Sequence, residues 1–440
     1  MKVETLAGER KRPTDSDTTG ASSSPSRLVK VLGPGLITGA SDDDPSGIAT
    51  YSQAGAQFGF TITWTLLFTY PLMAVIQEIS ARIGRTTGCG IAANIRQHYP
   101  NWVLRGIVAL LLIANTINIG ADLDAMGDAV TLLIGGPKIV YVVGFGLLCA
   151  TLEVILPYAR LVSVLKWLTL ALFAYFGTVL VVAVPWGEAI RGFLVPTFSA
   201  DVALWTTVVA IFGTTISPYL FFWQASQEVE EIEDVPERKP LIRAPRQGRS
   251  ANERIGIDTY VGMAFSNLVA LAIMITTAAT LHANGNHDIE TSQQAAEALR
   301  PVAGNFAFII FTLGIIGTGF LAVPVLAGSA AYALGEARRW PVGLARRPAE
   351  ARAFYATIVI ATLFGVTVSF SPVDPMRALF WSAVINGLVA VPVMGMMMLI
   401  SSNKSIMKQF AVTGARSIVG WLATAVMAGA AIGMLVTSVV

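Results

Sequence analysis

The chain has 440 residues, of which 54% are apolar and only 13% charged, with a formal net charge of +2 and a mean hydropathy of +0.63. An ordinary soluble domain carries roughly 25% charged residues, so these values exclude a soluble globular protein and give no basic footprint for nucleic acid. They predict an all-α protein that crosses a lipid bilayer many times.

Residues 1–28 are polar and charged, with no apolar core of the kind a cleavable signal peptide needs, and read as a disordered cytosolic tail. Beyond them, apolar stretches of about 17 to 25 residues can each cross the hydrocarbon layer. Eleven are predicted: 29–57, 61–82, 103–133, 139–156, 162–185, 202–230, 256–281, 302–333, 354–370, 377–400 and 416–438. With the N-terminus inside, only Lys138, Arg191, Arg300 and Arg377 of the 30 basic residues fall on the outer side. The positive-inside bias therefore predicts a multi-pass protein of the cell (inner) membrane with its N-terminus in the cytosol and its C-terminus outside. The inner loop 232–255 mixes arginines, acids and prolines and reads as a solvated mobile linker, with a docking surface for anionic lipid as the alternative. Cys89 and Cys149 lack metal-ligand spacing and read as free thiols.

The first span holds the strongest signal. Residues 33–56 place Asp42, Asp43 and Asp44 beside Pro45 inside an otherwise apolar run. A charge at the bilayer centre costs roughly 3 kcal/mol or more, so these carboxylates need a partner, most simply a cation. Pro45 removes an amide donor, and Ser46 and Gly47 are poor helix formers, so the helix breaks and frees carbonyls at mid-membrane. Freed backbone is tolerated there only where it lines a buried or water-filled site. The sixth span repeats the device, with Pro218 after Thr214, Thr215 and Ser217. Two interrupted helices, each the first of five, predict two inverted five-helix repeats, 29–185 and 202–400, with a substrate site between the breaks. The segment 416–438 is then an extra helix, and 29–438 is a single transmembrane domain.

Gly33-Pro34-Gly35, then Asp44-Pro45, then Gln53-Ala54-Gly55-Ala56 resemble the first helix of the Nramp divalent-metal transporters in order and spacing. The resemblance implies a leucine-transporter-like 5+5 fold with broken helices 1 and 6. The family's Asp-Pro-Gly-Asn reads Asp44-Pro45-Ser46-Gly47 here, and its Met-Pro-His reads Ser217-Pro218-Tyr219. Replacing a thioether by a hydroxyl hardens the donor set, and the loss of side-chain atoms at both positions is expected to widen the cavity. Both changes suit Mg²⁺, which keeps much of its water, so the chain looks similar to the magnesium-transporting branch related to Nramp. The family's Asp-Leu-Ala-Glu aligns with Asp122-Leu123-Asp124-Ala125, one acid short, and His98, His282 and His287 all lie outside the spans. No imidazole relay remains at membrane depth, and voltage-driven uniport is expected.

The resemblance implies metal contact from Asp44, Asp43, Gly47, Thr214 and Ser217, with Asp42 a lesser candidate and Gly47 and Thr214 offering carbonyls. Asp44 also suits an N-cap, and Ser217 the satisfying of freed backbone. Tyr219, Gln224, Asn386 and Asp122 are cavity-wall or supporting candidates, Asn386 being expected to make an interhelical hydrogen bond. Glu78 and Glu153 are expected to pair with Arg82 and Arg160, and Glu228, Glu230 and Glu231 to close span six as a solvated helix end or a cation-attracting vestibule. No cofactor is expected, since the metal, Mg²⁺ or Mn²⁺, is cargo; the only partners expected are that cation and the lipid bilayer. Competing readings are a proton-coupled Mn²⁺/Fe²⁺ transporter, a carrier of amino acids or organic cations, and an intramembrane aspartyl protease using Asp44 and Asp122. The last lacks a Gly-x-Gly-Asp motif.

Overall fold

Backbone in lipid must satisfy its own N–H and C=O groups, which long apolar runs achieve by closing into helices. The computed structural model describes residues 38–39, 41–155, 168–199 and 201–438, and among them it contains helices and connecting turns only. The predicted tail 1–28, the start of span one, the start of span five and Arg160 lie outside the described residues.

In chain order the described α-helices of eight or more residues are α1 (Pro45–Phe58), α2 (Trp64–Thr87), α3 (Ile91–His98), α4 (Asn101–Ile134) and α5 (Lys138–Ile155). They continue with α6 (Phe173–Val181), α7 (Trp186–Leu194), α8 (Val202–Thr215), α9 (Pro218–Asp234) and α10 (Gly248–Thr280). The remainder are α11 (Ala307–Arg338), α12 (Arg352–Val368), α13 (Pro375–Ser402) and α14 (Ala415–Thr437). Among the described residues, seven segments are long and apolar enough to cross a bilayer alone, and α1 and α2 pass that test as a pair bent by 110°. Leu170–Val181 and Arg352–Val368 are shorter apolar helices. Every predicted span has a helix at its place.

Both predicted breaks are present. The backbone is helical at Ser41 and Asp42, leaves the helix at Asp43 and Asp44, and resumes at Pro45. Asp44 is extended (φ −69°, ψ 171°), and Pro45 takes the first helical position, where a missing amide hydrogen costs nothing. Span six behaves alike. Ile216 (φ −120°, ψ 58°) and Ser217 (φ −80°, ψ 127°) separate α8 from α9, and Pro218 again opens the second arm.

Missing side chains bring the broken helices against their neighbours. A Cβ on Gly213 of α8 would lie 1.9 Å from the Ala383 carbonyl oxygen of α13, and one on Gly84 of α2 would lie 2.1 Å from the Ala225 carbonyl oxygen of α9. α10 lies along α1, while α4 packs on α11, α12 and α13.

The stretch 232–255 is docked rather than a free linker. Leu241 is fully buried, and the backbone N–H groups of Leu241 and Ile242 donate to the carbonyls of Arg85 and Thr86 at the end of α2, both at 3.2 Å. Arg85 returns the contact by donating to the Lys239 carbonyl at 2.8 Å and to Gln247 Oε1 at 2.9 Å. Polar composition alone did not reveal that α2 ends with carbonyls needing exactly such donors.

Gly213→Val puts branched carbon where the backbone of α13 already sits. Overpacking of this kind costs about 1–3 kcal/mol or more, so purified protein is expected to melt well below wild type in a thermal-shift measurement. A wild-type melting curve would show that α8 and α13 do not touch there.

Candidate metal site

The two breaks meet in the interior. Asp42, Asp43, Asp44, Thr214, Ser217, Tyr219, Gln224, Asn386 and Asp122 are all buried. Gly47 supplies the most direct measure of the junction: a Cβ there would lie 3.1 Å from Thr214 Oγ1, 3.3 Å from Tyr51 Cε2 and 3.5 Å from the Asp42 carbonyl oxygen. The space expected from the missing asparagine is thus taken by Thr214 and Tyr51, and the predicted widening is not seen in this closed arrangement. Subtracting a side chain says nothing of which neighbour moves in.

Asp44 is the best-held group of the set. Its Oδ1 accepts from the Gly47 N–H at 2.8 Å and from Ser46 Oγ at 2.6 Å, which makes it the N-cap of α1. Its Oδ2 accepts from Asn118 Nδ2 of α4 at 3.1 Å and lies 3.3 Å from the Tyr219 hydroxyl, which also donates to the Ser41 carbonyl at 3.1 Å. Tyr219, expected as a wall, is therefore a direct link between the two broken helices. Ser266 of α10 serves the neighbouring acids, with Oγ 2.6 Å from Asp42 Oδ2 and 3.1 Å from Asp43 Oδ1. One hydroxyl hydrogen cannot satisfy two carboxylates.

Ser217 takes its bland role here, its hydroxyl lying 2.8 Å from the carbonyls of both Gly213 and Thr214, the last turn of α8. Gln224 of α9 accepts from the Thr38 hydroxyl ahead of the first break. Asn386 forms no hydrogen bond with the described residues, so the expected interhelical bond is absent; neither oxygen of Asp122 has such a partner either. Asp122 stands one turn after Asn118 and so on the same face of α4. Among the described residues no three His, Cys, Asp or Glu side chains converge as a metal-holding group. A cation at the junction would rest on one or two carboxylates together with hydroxyl and carbonyl oxygens.

Asn118, Ser266 and Tyr51 were missed in the sequence. A signal existed for the first two, since each is a polar side chain inside a long apolar run, and such groups in membrane helices face the bundle interior.

Access differs at the two ends. A cavity of about 530 Å³ is lined by Gln53, Gln57, Asp201, Asp288, Glu290 and Arg377, among others, and reaches down to Ala49 and Thr207. Ala49 is five residues past Asp44, about 7.5 Å along a helix. The opposite, arginine-rich end is sealed. Gln77 Nε2 donates to the Leu220 carbonyl at 3.0 Å, Ser80 Oγ to the Phe221 carbonyl at 2.5 Å, and Arg254 Nη2 meets Glu228 at 2.5 Å. Arg254 also reaches Glu231 at 3.2 Å, and Glu230 accepts from the Leu344 N–H at 2.6 Å. These acids form neither a fully solvated helix end nor an open vestibule; Arg254, the Leu344 N–H and the Tyr332 hydroxyl of α11 hold them in place. Glu78 pairs with Arg82 at 2.6 Å as expected, and also with Arg416 at 3.1 Å. Glu153 is buried, and its expected partner Arg160 lies outside the described residues.

Comparison with known proteins points one way. A family model described as "Natural resistance-associated macrophage protein-like" matches residues 35–437. The chain is similar to proteins named divalent metal cation transporter MntH. That of Klebsiella pneumoniae strain 342 is 25% identical over 428 residues, 94% of this chain and 96% of the relative. That of Yersinia enterocolitica is 30% identical over 304 residues, 67% and 70% of the two chains. In fold, the chain is similar to the crystal structure of the Eremococcus coleocola manganese transporter in complex with an aromatic bis-isothiourea compound, with a TM-score of 0.73 at 16% identity, covering 95% of this chain and 88% of that one. The inward-facing structure of Mhp1 matches at a TM-score of 0.51 and 12% identity, covering 92% and 91%.

Arg254→Ala leaves Glu228 buried without its cation, a loss of about 3–5 kcal/mol for a buried pair, and should loosen the seal. Maleimide labelling of Ala225→Cys, in a background carrying Cys89→Ser and Cys149→Ser, is expected to quicken when Arg254→Ala is added. Unchanged labelling would show that the ion pair is not part of the closure.

Proposed function

The chain belongs to the Nramp-like family, and on that footing we propose that it carries divalent metal cations across the cell (inner) membrane by alternating access, with partly hydrated Mg²⁺ as the main cargo and membrane voltage as the drive. The observation that carries this reading is the meeting of the two breaks: Asp44 linked to Tyr219, and Gly47 set against Thr214. The groups assembled there offer oxygen: the carboxylates of Asp42, Asp43 and Asp44, the hydroxyls of Thr214 and Ser217, and freed carbonyls. Oxygen donors suit Mg²⁺, which is commonly held by one or two carboxylates and keeps several waters, whereas thioether and imidazole favour transition metals.

The arginine-rich end is read as cytosolic, so the vestibule faces outward. A dication would gather among Asp201, Asp288 and Glu290 and descend between α1 and α8. At the junction it would take over Asp44 Oδ2 from Asn118 and Tyr219. Passage onward needs α9 to leave α2, releasing the Gln77 and Ser80 hydrogen bonds and the Arg254–Glu228 pair. Because the vestibule ends above the junction and the other end is sealed, both gates need not open together, which is the requirement of alternating access.

Coupling to protons is not required energetically. A dication gains roughly 4.6 kcal/mol per 100 mV of inside-negative potential, enough for a gradient of more than about a thousandfold. No histidine lies among the groups at the junction, since His98 ends α3 while His282 and His287 follow α10.

Liposomes holding the full-length protein and an inside-negative potential are expected to take up Mg²⁺ without acidifying when no proton gradient is imposed. Asp44→Asn, which keeps an N-cap acceptor, should fold normally and lose at least about tenfold of the flux, the factor carried by roughly 1.4 kcal/mol. Mn²⁺ or Fe²⁺ flux with neither Mg²⁺ flux nor Mg²⁺ competition would overturn the cargo assignment, and metal-driven acidification would overturn uniport.

A further inference from the structure

The loop after α10 carries two of the chain's three histidines, and it folds back onto the last turn of α1. His282 Nδ1 lies 2.8 Å from the Ala56 carbonyl oxygen, His287 Nδ1 lies 3.4 Å from that same oxygen, and the two nitrogens are 3.2 Å apart. The rings stand edge to face at 69°, with centroids 4.7 Å apart. Three donor atoms thus form a compact triangle with sides of 2.8, 3.2 and 3.4 Å. Tetrahedral Zn–N bonds of about 2.0–2.1 Å place neighbouring donors about 3.3 Å apart, which matches the two sides that meet at His287, while the His282–Ala56 side is shorter and would open slightly around a metal.

Protons fill this triangle poorly. A neutral imidazole has one N–H and one lone pair. If both Nδ1 atoms carry hydrogen, two N–H groups crowd one oxygen at a nitrogen separation of 3.2 Å. If only one carries hydrogen, its N–H must be shared between the Ala56 oxygen and the other ring's nitrogen, and the bare nitrogen's lone pair is left facing the carbonyl's own. A cation accepts all three lone pairs at once. The Ala56 carbonyl is available because it lies in the final turn of α1, where carbonyls have no partner inside the helix.

The pocket is also shaped for the ring. Gly59 has φ 59°, a conformation that favours glycine, and a Cβ there would meet His282 Cδ2 at 2.9 Å and Nε2 at 3.0 Å. The loop is pinned one turn back along α1, where Gln53 Oε1 accepts from the Ile289 N–H at 2.8 Å. Asp288, which accepts from Gln53 Nε2 at 3.3 Å, and Gln53 itself line the vestibule. His287 is exposed and His282 half-buried, so both can be reached from solvent.

We propose that His282, His287 and the Ala56 carbonyl form a second metal site, separate from the cargo site, that takes Zn²⁺ or a similar imidazole-preferring dication and clamps the end of α1 to the loop after α10. Imidazole selects zinc, copper and nickel over magnesium, so the cargo does not compete for it. With α1 fastened at the vestibule, transport slows. That second half rests on the transport reading; the binding half does not.

Equilibrium dialysis of the full-length protein with Zn²⁺ separates the two. Asp44→Ala, which disables the proposed cargo site, is expected to retain one tight Zn²⁺ per chain. Adding His282→Ala or His287→Ala to it should weaken that binding at least about tenfold. In liposomes, Zn²⁺ added on the vestibule side should slow wild-type Mg²⁺ flux and leave the flux of His287→Ala unchanged. An Asp44→Ala protein that binds no Zn²⁺, or histidine variants that bind it as tightly, would overturn the site. Equal Zn²⁺ inhibition of wild type and His287→Ala would overturn the clamp.

Discussion

Negative charge buried at the middle of the chain's first span is the constraint from which the remaining structure follows. Three carboxylates occupy a place where water cannot solvate them, and each must find donors or a counter-charge. They are served unequally. Asp44 accepts from Gly47, Ser46 and Asn118 with Tyr219 close by, Asp42 and Asp43 share Ser266, and Asp122 has no hydrogen-bond partner among the described residues. Donors sufficient for one carboxylate and deficient for the others describe a place that a cation would complete, whereas a fully satisfied network would simply be a structural core.

Geometry places that deficit at the junction of the two broken helices. Asp44 belongs to the break before α1, while Thr214, Ser217 and Tyr219 belong to the break between α8 and α9. Gly213 and Gly84 let these arms approach α13 and α2 at backbone distance. Contacts of this kind slide or separate as units, because packed interiors are bistable rather than continuously deformable. On the arginine-rich side the closure relies on hydrogen bonds to backbone and on the Arg254–Glu228 pair, which can part without unfolding a helix.

Much of this was legible in the residues, and the exceptions have physical causes. Pro45 and Pro218 announce the breaks because acids, hydroxyls or glycine crowd beside them, whereas Pro71, Pro324 and Pro392 sit inside unbroken helices, and the spacing of Gly33, Asp44 and Gln53 identified the family. Asp44 was readable both as a cap and as a charge, and both readings concern the same carboxylate. The cavity around Gly47 was misjudged, because which side chain fills a vacated volume depends on long-range packing, here by Thr214 and Tyr51. The segment 232–255 reads as a linker by its polarity, yet Arg85, some 150 residues earlier in the chain, anchors it at Lys239. Asn118 and Ser266 carry no charge to single them out in the sequence, yet these neutral donors hold the carboxylates in place.

The most direct test of the central claim, that a dication rests between the two breaks, is anomalous diffraction from crystals of the full-length protein soaked in Mn²⁺ as a scattering stand-in for the cargo. The expected result is a peak within bonding distance of the Asp44 carboxylate, beside the Thr214 and Ser217 end of α8. A peak confined to the vestibule or to the histidine loop, with none at Asp44, would contradict it.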